Sequence, residues 1–236
     1  MSADRNDVAQ ALAEGARTLH ATHTLDETLD AIVHTARDTV DGMDHAGISI
    51  THRDGTKVET CAATDQLVWD LDTVQYKLGE GPCLSAISSE QPDQLVVVEH
   101  MRRDERWPLF ARHAVAAGVG AQMGIQLYDE NGTIGGLNLY STSTETVSQD
   151  AILVAELFAT HAALALGRRR KEDQLTQALD TRLVIGQAVG VVMQTYQLDR
   201  DRAFQYLVRV SRNSNTKLRE IAREVVDQAE DRAHNR

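Results

Sequence analysis

Over 148–196 the chain runs for nearly 50 residues with no proline and three glycines, Gly167, Gly186 and Gly190. Its apolar spacing predicts helix throughout. Ordinary globular helices are far shorter, so such a run must join two bodies or pair with another helix. Leu153, Leu157, Leu164, Leu175, Leu179 and Val189 fall near the spacing of a seam, which Arg182 and Gly186 interrupt. The expected helix ends one domain, crosses Arg168-Arg169-Arg170-Lys171 and begins another, with Gly167 as a candidate break.

Before this run the period alternates between helix and strand. A short helix is predicted over 7–19. Thr24-Leu25-Asp26-Glu27 forms a capping box, and Leu29, Ile32, Val33 and Ala36 carry a helix to about Asp41, where Gly42 stops it. Residues 46–51 and 57–62 read as strands around Asp54-Gly55, and 121–128 and 133–140 as strands around Asn131-Gly132, both hairpin signals. Residues 95–98 read as a buried strand, and helices are predicted over 66–77, 83–88 and 107–117. This pattern predicts an α+β domain with a central antiparallel sheet.

After the run, Asp199 can cap a helix over 200–213 with Ala203, Phe204, Leu207 and Val210 inward. Asn215 can cap a third over 216–229, with Leu218, Ile221, Ala222 and Val225 inward. Three helices in some 60 residues bury little alone, so dimerisation through the long helix is expected. The expected division is a helical segment over 1–24, an α+β domain over 25–167 and a three-helix bundle over 168–236.

Composition excludes several classes. Two cysteines, Cys61 and Cys83, are too few for a disulfide scaffold or a Cys-rich zinc site. The first residues are polar, without a signal-peptide hydrophobic region. The longest apolar stretch, 151–166, carries Glu156 and His161 and is about one turn short of a membrane span. A cytoplasmic protein with reduced thiols and no membrane partner is expected.

The net charge of −11 argues against nucleic acid as partner only if it is evenly spread. It is not. Residues 1–167 hold 10 Lys and Arg against 25 Asp and Glu, giving −15, and residues 168–236 hold 14 against 10, giving +4. Lys217, Arg219 and Arg223 cluster on the third helix, with Arg212 just before the turn. Such a cluster can neutralise phosphates. Glu220, Glu224 and Asp227 alternate with it, as on any solvated helix, so both readings stay open.

Two resemblances add to this. Residues 174–229 resemble the ANTAR domain, a three-helix RNA-binding module of transcription antitermination regulators. The matching residues are Ala178-Leu179 with Arg182, the run from Ile185 to Met193, Ala203 to Leu207, and Ser211 to Ala222. The chain departs from the family at Val189, where Lys is common. The resemblance implies binding of paired RNA hairpins. Residues 25–167 resemble a GAF domain, a sensory α+β fold, through Gly79-Glu80-Gly81-Pro82-Cys83-Leu84, Arg106-Trp107-Pro108 with Phe110, and Ile134 to Ser141. That resemblance implies a sensor and leaves its ligand unknown, a small molecule being one candidate cofactor.

Other constellations have bland readings beside sharp ones. Cys83 after its Gly-rich loop is a ligand-facing or redox thiol, or a small buried hydrophobe. Cys61 on a strand reads as buried. Glu80 near Cys83 is expected to raise the thiol pKa, which disfavours an enzyme of the GAF-fold methionine sulfoxide reductase type. Trp107, Phe110 and Tyr140 line a pocket or fill the core. The histidines lack metal-site spacing, although His100 and His113 flank a helix and could face a pocket.

The resulting expectation is a non-enzymatic RNA-binding antitermination regulator with a GAF-like sensor. Arg182, Arg212, Lys217, Arg219 and Arg223 are expected on phosphates, with Asn213 and Asn215 near bases. The alternatives are a ligand sensor whose tail contacts only protein, and the sulfoxide reductase.

Overall fold

The computed structural model describes residues 13–19, 21–51, 57–91, 94–130 and 132–234. The chain divides between Arg170 and Lys171 into two compact units. The first half of the helix over 7–19, the Asp54-Gly55 turn and Asn131 lie outside the described residues. Residues 13–19 are helical, and Leu19 is buried.

The first unit is built on five strands, β1 (His45–Thr51), β2 (Val58–Ala63), β3 (Leu95–Val98), β4 (Ala121–Asp129) and β5 (Gly132–Ser141). All pairs are antiparallel, in the order β2-β1-β5-β4-β3. Period-two alternation gives this sheet two unlike faces. Ile48, Met123, Ile125, Leu127, Leu137 and Leu139 make one face apolar. It packs against helix α1 (Leu25–Thr39) and the start of α5 (Gln149–Tyr196). The other face carries Ser49, Gln122, Gln126, Asn138 and Tyr140 beneath α2 (Gln66–Leu78), α3 (Pro82–Ile87) and α4 (Pro108–Ala116).

Local signals explain the helix ends. Thr24 accepts from the Glu27 amide at 3.1 Å while Glu27 accepts from the Thr24 amide at 3.3 Å, closing the capping box. Asp65 caps α2 by accepting from the Leu67 amide at 2.8 Å, and Gly79 ends it at φ +67°, where glycine is least strained. The 95–98 strand is not buried as expected. It is a sheet edge paired only to β4, and three of its four residues are half-buried.

Helix α5 does not break at Gly167. A Cβ there would lie 3.3 Å from Asp129 Oδ2 and 3.6 Å from Ile134 Cδ1, so the glycine lets the helix lie close to the β4–β5 hairpin. Helix α5 contains a window long and apolar enough to cross a membrane by length and composition alone, but half of that window is buried within the protein. Ala151, Val154, Ala155, Phe158, Ala162 and Leu166 form its core stripe. Leu153, Leu157 and Leu164 are exposed.

The second unit comprises the end of α5 with α6 (Arg200–Ser214) and α7 (Leu218–His234). Ala188, Val189, Val192, Ala203, Leu207, Ile221 and Ala222 form its core. Asp199 caps α6 by accepting from the Arg202 amide at 2.8 Å. Asn215 behaves differently from expectation. It closes α6 at φ +53°, and α7 begins only at Leu218. An asparagine tolerates the left-handed conformation, which suits it to end a helix there. Phe204 was expected inward and is 43% exposed, because Ala203 and Leu207 already fill the buried side of α6.

Candidate functional site

The candidate RNA residues fall in two places. Arg212, Asn213, Asn215, Lys217, Arg219 and Arg223 are exposed at the turn between α6 and α7 and on the first turns of α7. The turn is held internally. Ser211 Oγ donates to the Thr216 carbonyl at 2.6 Å, and the Thr216 amide donates to the Ser211 carbonyl at 3.1 Å. Arg182 is apart from this group. It lines a groove of about 790 Å³ with Ile185, Gly186, Val189, Gly190 and Met193 of α5 and Arg200, Asp201, Phe204 and Gln205 of α6. Sequence reasoning missed this groove, because a helix pattern does not show which inward positions remain uncovered.

The Arg168–Lys171 run is mid-helix, so it faces no helix end. Arg169 donates to the Thr22 carbonyl, and Arg170 Nη1 reaches the Ile134 carbonyl at 3.5 Å. These arginines belong to the first unit. Residues 171–236 then hold 11 Lys and Arg against 10 Asp and Glu, so local clustering rather than net charge distinguishes the turn.

In the first unit, the polar face of the sheet builds a buried network. The Asp72 carboxylate is fully buried. Its Oδ1 accepts from Tyr140, from Asn138 at 3.1 Å and from Gln75 at 3.2 Å, and its Oδ2 accepts from Thr60 at 2.8 Å. Tyr76 joins Thr60 at 2.9 Å and Ser49 at 2.6 Å. Burial pushes the Asp72 carboxyl up to about 6, against the pull of its four neutral donors. Burial and the nearby Asp72 also raise the Tyr76 and Tyr140 hydroxyls.

Cys83 sits at the edge of this network. Its amide donates to Gln75 Oε1 at 3.1 Å, and its Sγ lies 3.5 Å from Ser49 Oγ. Burial first, and Asp72 second, push its thiol up to about 12. Glu80 does not act on it as expected. Glu80 instead accepts from the Leu109 and Phe110 amides at 3.0 and 3.2 Å and caps α4. Cys61 is exposed on edge strand β2, not buried, and desolvation of its sulfur and Glu59 raise its thiol. Neither thiol is poised as the thiolate that redox catalysis needs.

Phe110 and Tyr140 are fully buried in one cluster with Val68, Leu71 and Met101, and half-buried Trp107 packs against it. The Arg106 guanidinium stacks 4.5 Å from the Trp107 ring. Phe110 and Tyr140 are thus core residues, and Trp107 lies at the edge of their cluster. Gln122 is also buried on this face, and neither atom of its amide has a partner among the described residues. The signal for the network was present as polar residues at alternate strand positions. His100 Nδ1 lies 3.1 Å from Glu145, and His113 Nδ1 lies 2.9 Å from the Leu109 carbonyl of its own helix. The described residues contain no cluster of His, Cys, Asp and Glu suited to a metal.

Comparison with known proteins follows this division. A GAF domain model matches residues 22–167, and an ANTAR domain model matches residues 173–226. No curated protein matches the chain. Among solved structures, the GAF domain of an Acinetobacter phosphoenolpyruvate-protein phosphotransferase is 13% identical with a TM-score of 0.55, over 71% of this chain and 97% of that one. The photosensory core module of a Stigmatella aurantiaca phytochrome is 14% identical with a TM-score of 0.59, over 86% of this chain and 44% of that one. The chromophore-binding domain of the R. palustris bacteriophytochrome RpBphP3 is 13% identical with a TM-score of 0.53, over 71% of this chain and 63% of that one. The chain thus spans less than two thirds of both phytochrome structures, and these likenesses show the fold alone. The α+β sheet, the two family matches and their order agree: the chain belongs to the GAF domain family, and its sensory GAF domain is followed by an RNA-binding ANTAR domain of the antitermination type.

Proposed function

We propose that this protein is a cytoplasmic antitermination regulator that binds paired hairpins in nascent RNA and so prevents a terminator from forming. The observation that carries this reading is the exposed cationic group at the α6–α7 turn within the ANTAR-matched residues. Arg212, Lys217, Arg219 and Arg223 contact phosphates, and Asn213 lies near a base. Sequence-specific RNA recognition targets unpaired loop bases flanked by such contacts. The sensor lies within the first unit, which includes Arg168–Arg170, and the RNA module lies within residues 171–236.

Two copies act together on the two hairpins. The exposed Leu153, Leu157, Leu164, Leu175, Leu179 and Leu183 of α5 are the side chains offered for dimerisation. A signal in the GAF domain must favour one RNA-binding state over the other to have any effect.

The test is binding of a two-hairpin RNA over a salt series. Affinity falls with salt, and the Lys217→Gln/Arg219→Gln/Arg223→Gln variant shows a shallower slope. A salt-independent affinity, or one unmoved by the triple change, overturns the assignment. Sedimentation of Leu175→Lys/Leu179→Lys tests the dimer, which should become monomer.

A further inference from the structure

We infer that the groove between the end of α5 and the start of α6 binds one unpaired RNA base, held against Phe204 with Arg182 and Arg200 on the flanking phosphates. The inference rests on the RNA-binding reading and adds a site separate from the basic turn.

Two glycines line the groove. Arg182, Gly186, Val189, Gly190 and Met193 recur at i, i+4, i+7, i+8 and i+11, and so share one side of α5. A Cβ at Gly186 or Gly190 would meet nothing within 4 Å. The space over α5 is therefore open, and the helix tolerates glycine there although each costs about 1 kcal/mol against alanine.

Its chemistry suits a base rather than a bare phosphate. Val189 is 8% exposed and, with Ile185 and Met193, makes the floor apolar. Phe204 presents an exposed ring on the wall, and an aromatic face is a general stacking platform for bases. Arg182 and Arg200 are exposed at the same groove, and among the described residues neither is held in an ion pair. Two cations against the single Asp201 favour a polyanion. Asp201 and Gln205 offer the polar edge, and a carboxylate that only accepts selects a base presenting an amino group.

The spacing suits one hairpin. The groove lies at the first turns of α6 and the basic turn at its end, from Arg200 to Arg212. At the rise of an α-helix this is roughly 18 Å. Stem phosphates on the turn and a loop base in the groove can belong to the same RNA.

The experiment uses the full-length protein and a two-hairpin RNA selected from randomised loops on the wild-type protein. 2-Aminopurine replaces each loop position in turn. One position should lose fluorescence on binding. Phe204→Ala should abolish that quench and weaken binding about 10- to 100-fold, whereas Phe204→Tyr keeps both. Gly190→Leu fills the groove, replaces a helix glycine in open space, and should have the effect of Phe204→Ala in a folded protein. If both variants keep the quench and affinity while the Lys217/Arg219/Arg223 changes still abolish binding, the groove site is wrong and the RNA reading stands. If Gly190→Leu changes only the oligomeric state, the groove is a protein interface. If selection yields no RNA bound by the wild type, both readings fall.

Discussion

The Tyr140 hydroxyl, on central strand β5, donates to the carboxylate of Asp72 on α2, across the polar face of the sheet. Both residues are fully buried, and no cation balances the carboxylate among the donors it accepts from. The sensor domain therefore holds an ionisable group where an apolar residue would cost less.

Asp72 makes stability depend on pH. In the unfolded chain its carboxyl loses its proton near 3.8, and in the folded protein only near 6. Between those values the folded state binds more protons, so stability falls as pH rises, by about 3 kcal/mol, and the loss is complete above pH 6. Asp72→Asn should remove this dependence with little change in fold. Its Oδ1 keeps three donors, and its new amide can donate to Thr60. Denaturant unfolding at pH 4.5 and 7 checks this. Asp72→Leu leaves those donors unpaired and should destabilise by about 3–5 kcal/mol.

Gln122 is buried without an amide partner among the described residues. Gln122→Met keeps its length and removes the polar atoms. The sensor unfolding transition should move up by about 1–3 kcal/mol in stability, measured by urea denaturation.

The two thiols should react differently. Cys61 is exposed and should be alkylated by iodoacetamide in the native protein. Cys83 is buried with its thiol pushed up to about 12, so it should react only after unfolding. Mass spectrometry of native and denatured samples distinguishes them. Labelling of Cys83 at the native rate would mean that α3 opens readily.

Asn215 separates folding from recognition. Its backbone is at φ +53°, so Asn215→Gly should leave the bundle as stable or slightly more so. Asn215→Ala should cost about 1 kcal/mol. A tenfold or greater loss of RNA affinity in Asn215→Gly would assign its side chain to a base. Unchanged affinity would confine it to ending α6.

Several features were legible from residue spacing alone. The capping box at Thr24, the cap at Asp199, the strand alternation and the long helix all depend on neighbours in sequence. Local hydrogen bonds and one-face periodicity encode them within a few residues. The misreadings have a different origin. Residue type alone suggests burial for Cys61, the 95–98 strand and Phe204, but edge position leaves Cys61 exposed and most of the strand half-buried, and a filled neighbouring face leaves Phe204 exposed. Asn215 ends a helix rather than starting one, and residue type cannot separate the two roles because asparagine favours both.

The sequence by itself determined the order of elements, the α+β class, the acidic character of the first domain and the cationic cluster around Lys217. These follow from local periodicity and charge. Only the tertiary structure decided where Asp72, Gln75, Asn138 and Tyr140 meet, that Glu80 caps α4 rather than acting on Cys83, and that Gly186, Gly190 and Phe204 open one groove. Such contacts join residues as many as 68 positions apart. Packing chooses them by excluding water from some faces and leaving others uncovered, and one-dimensional spacing carries no record of that choice.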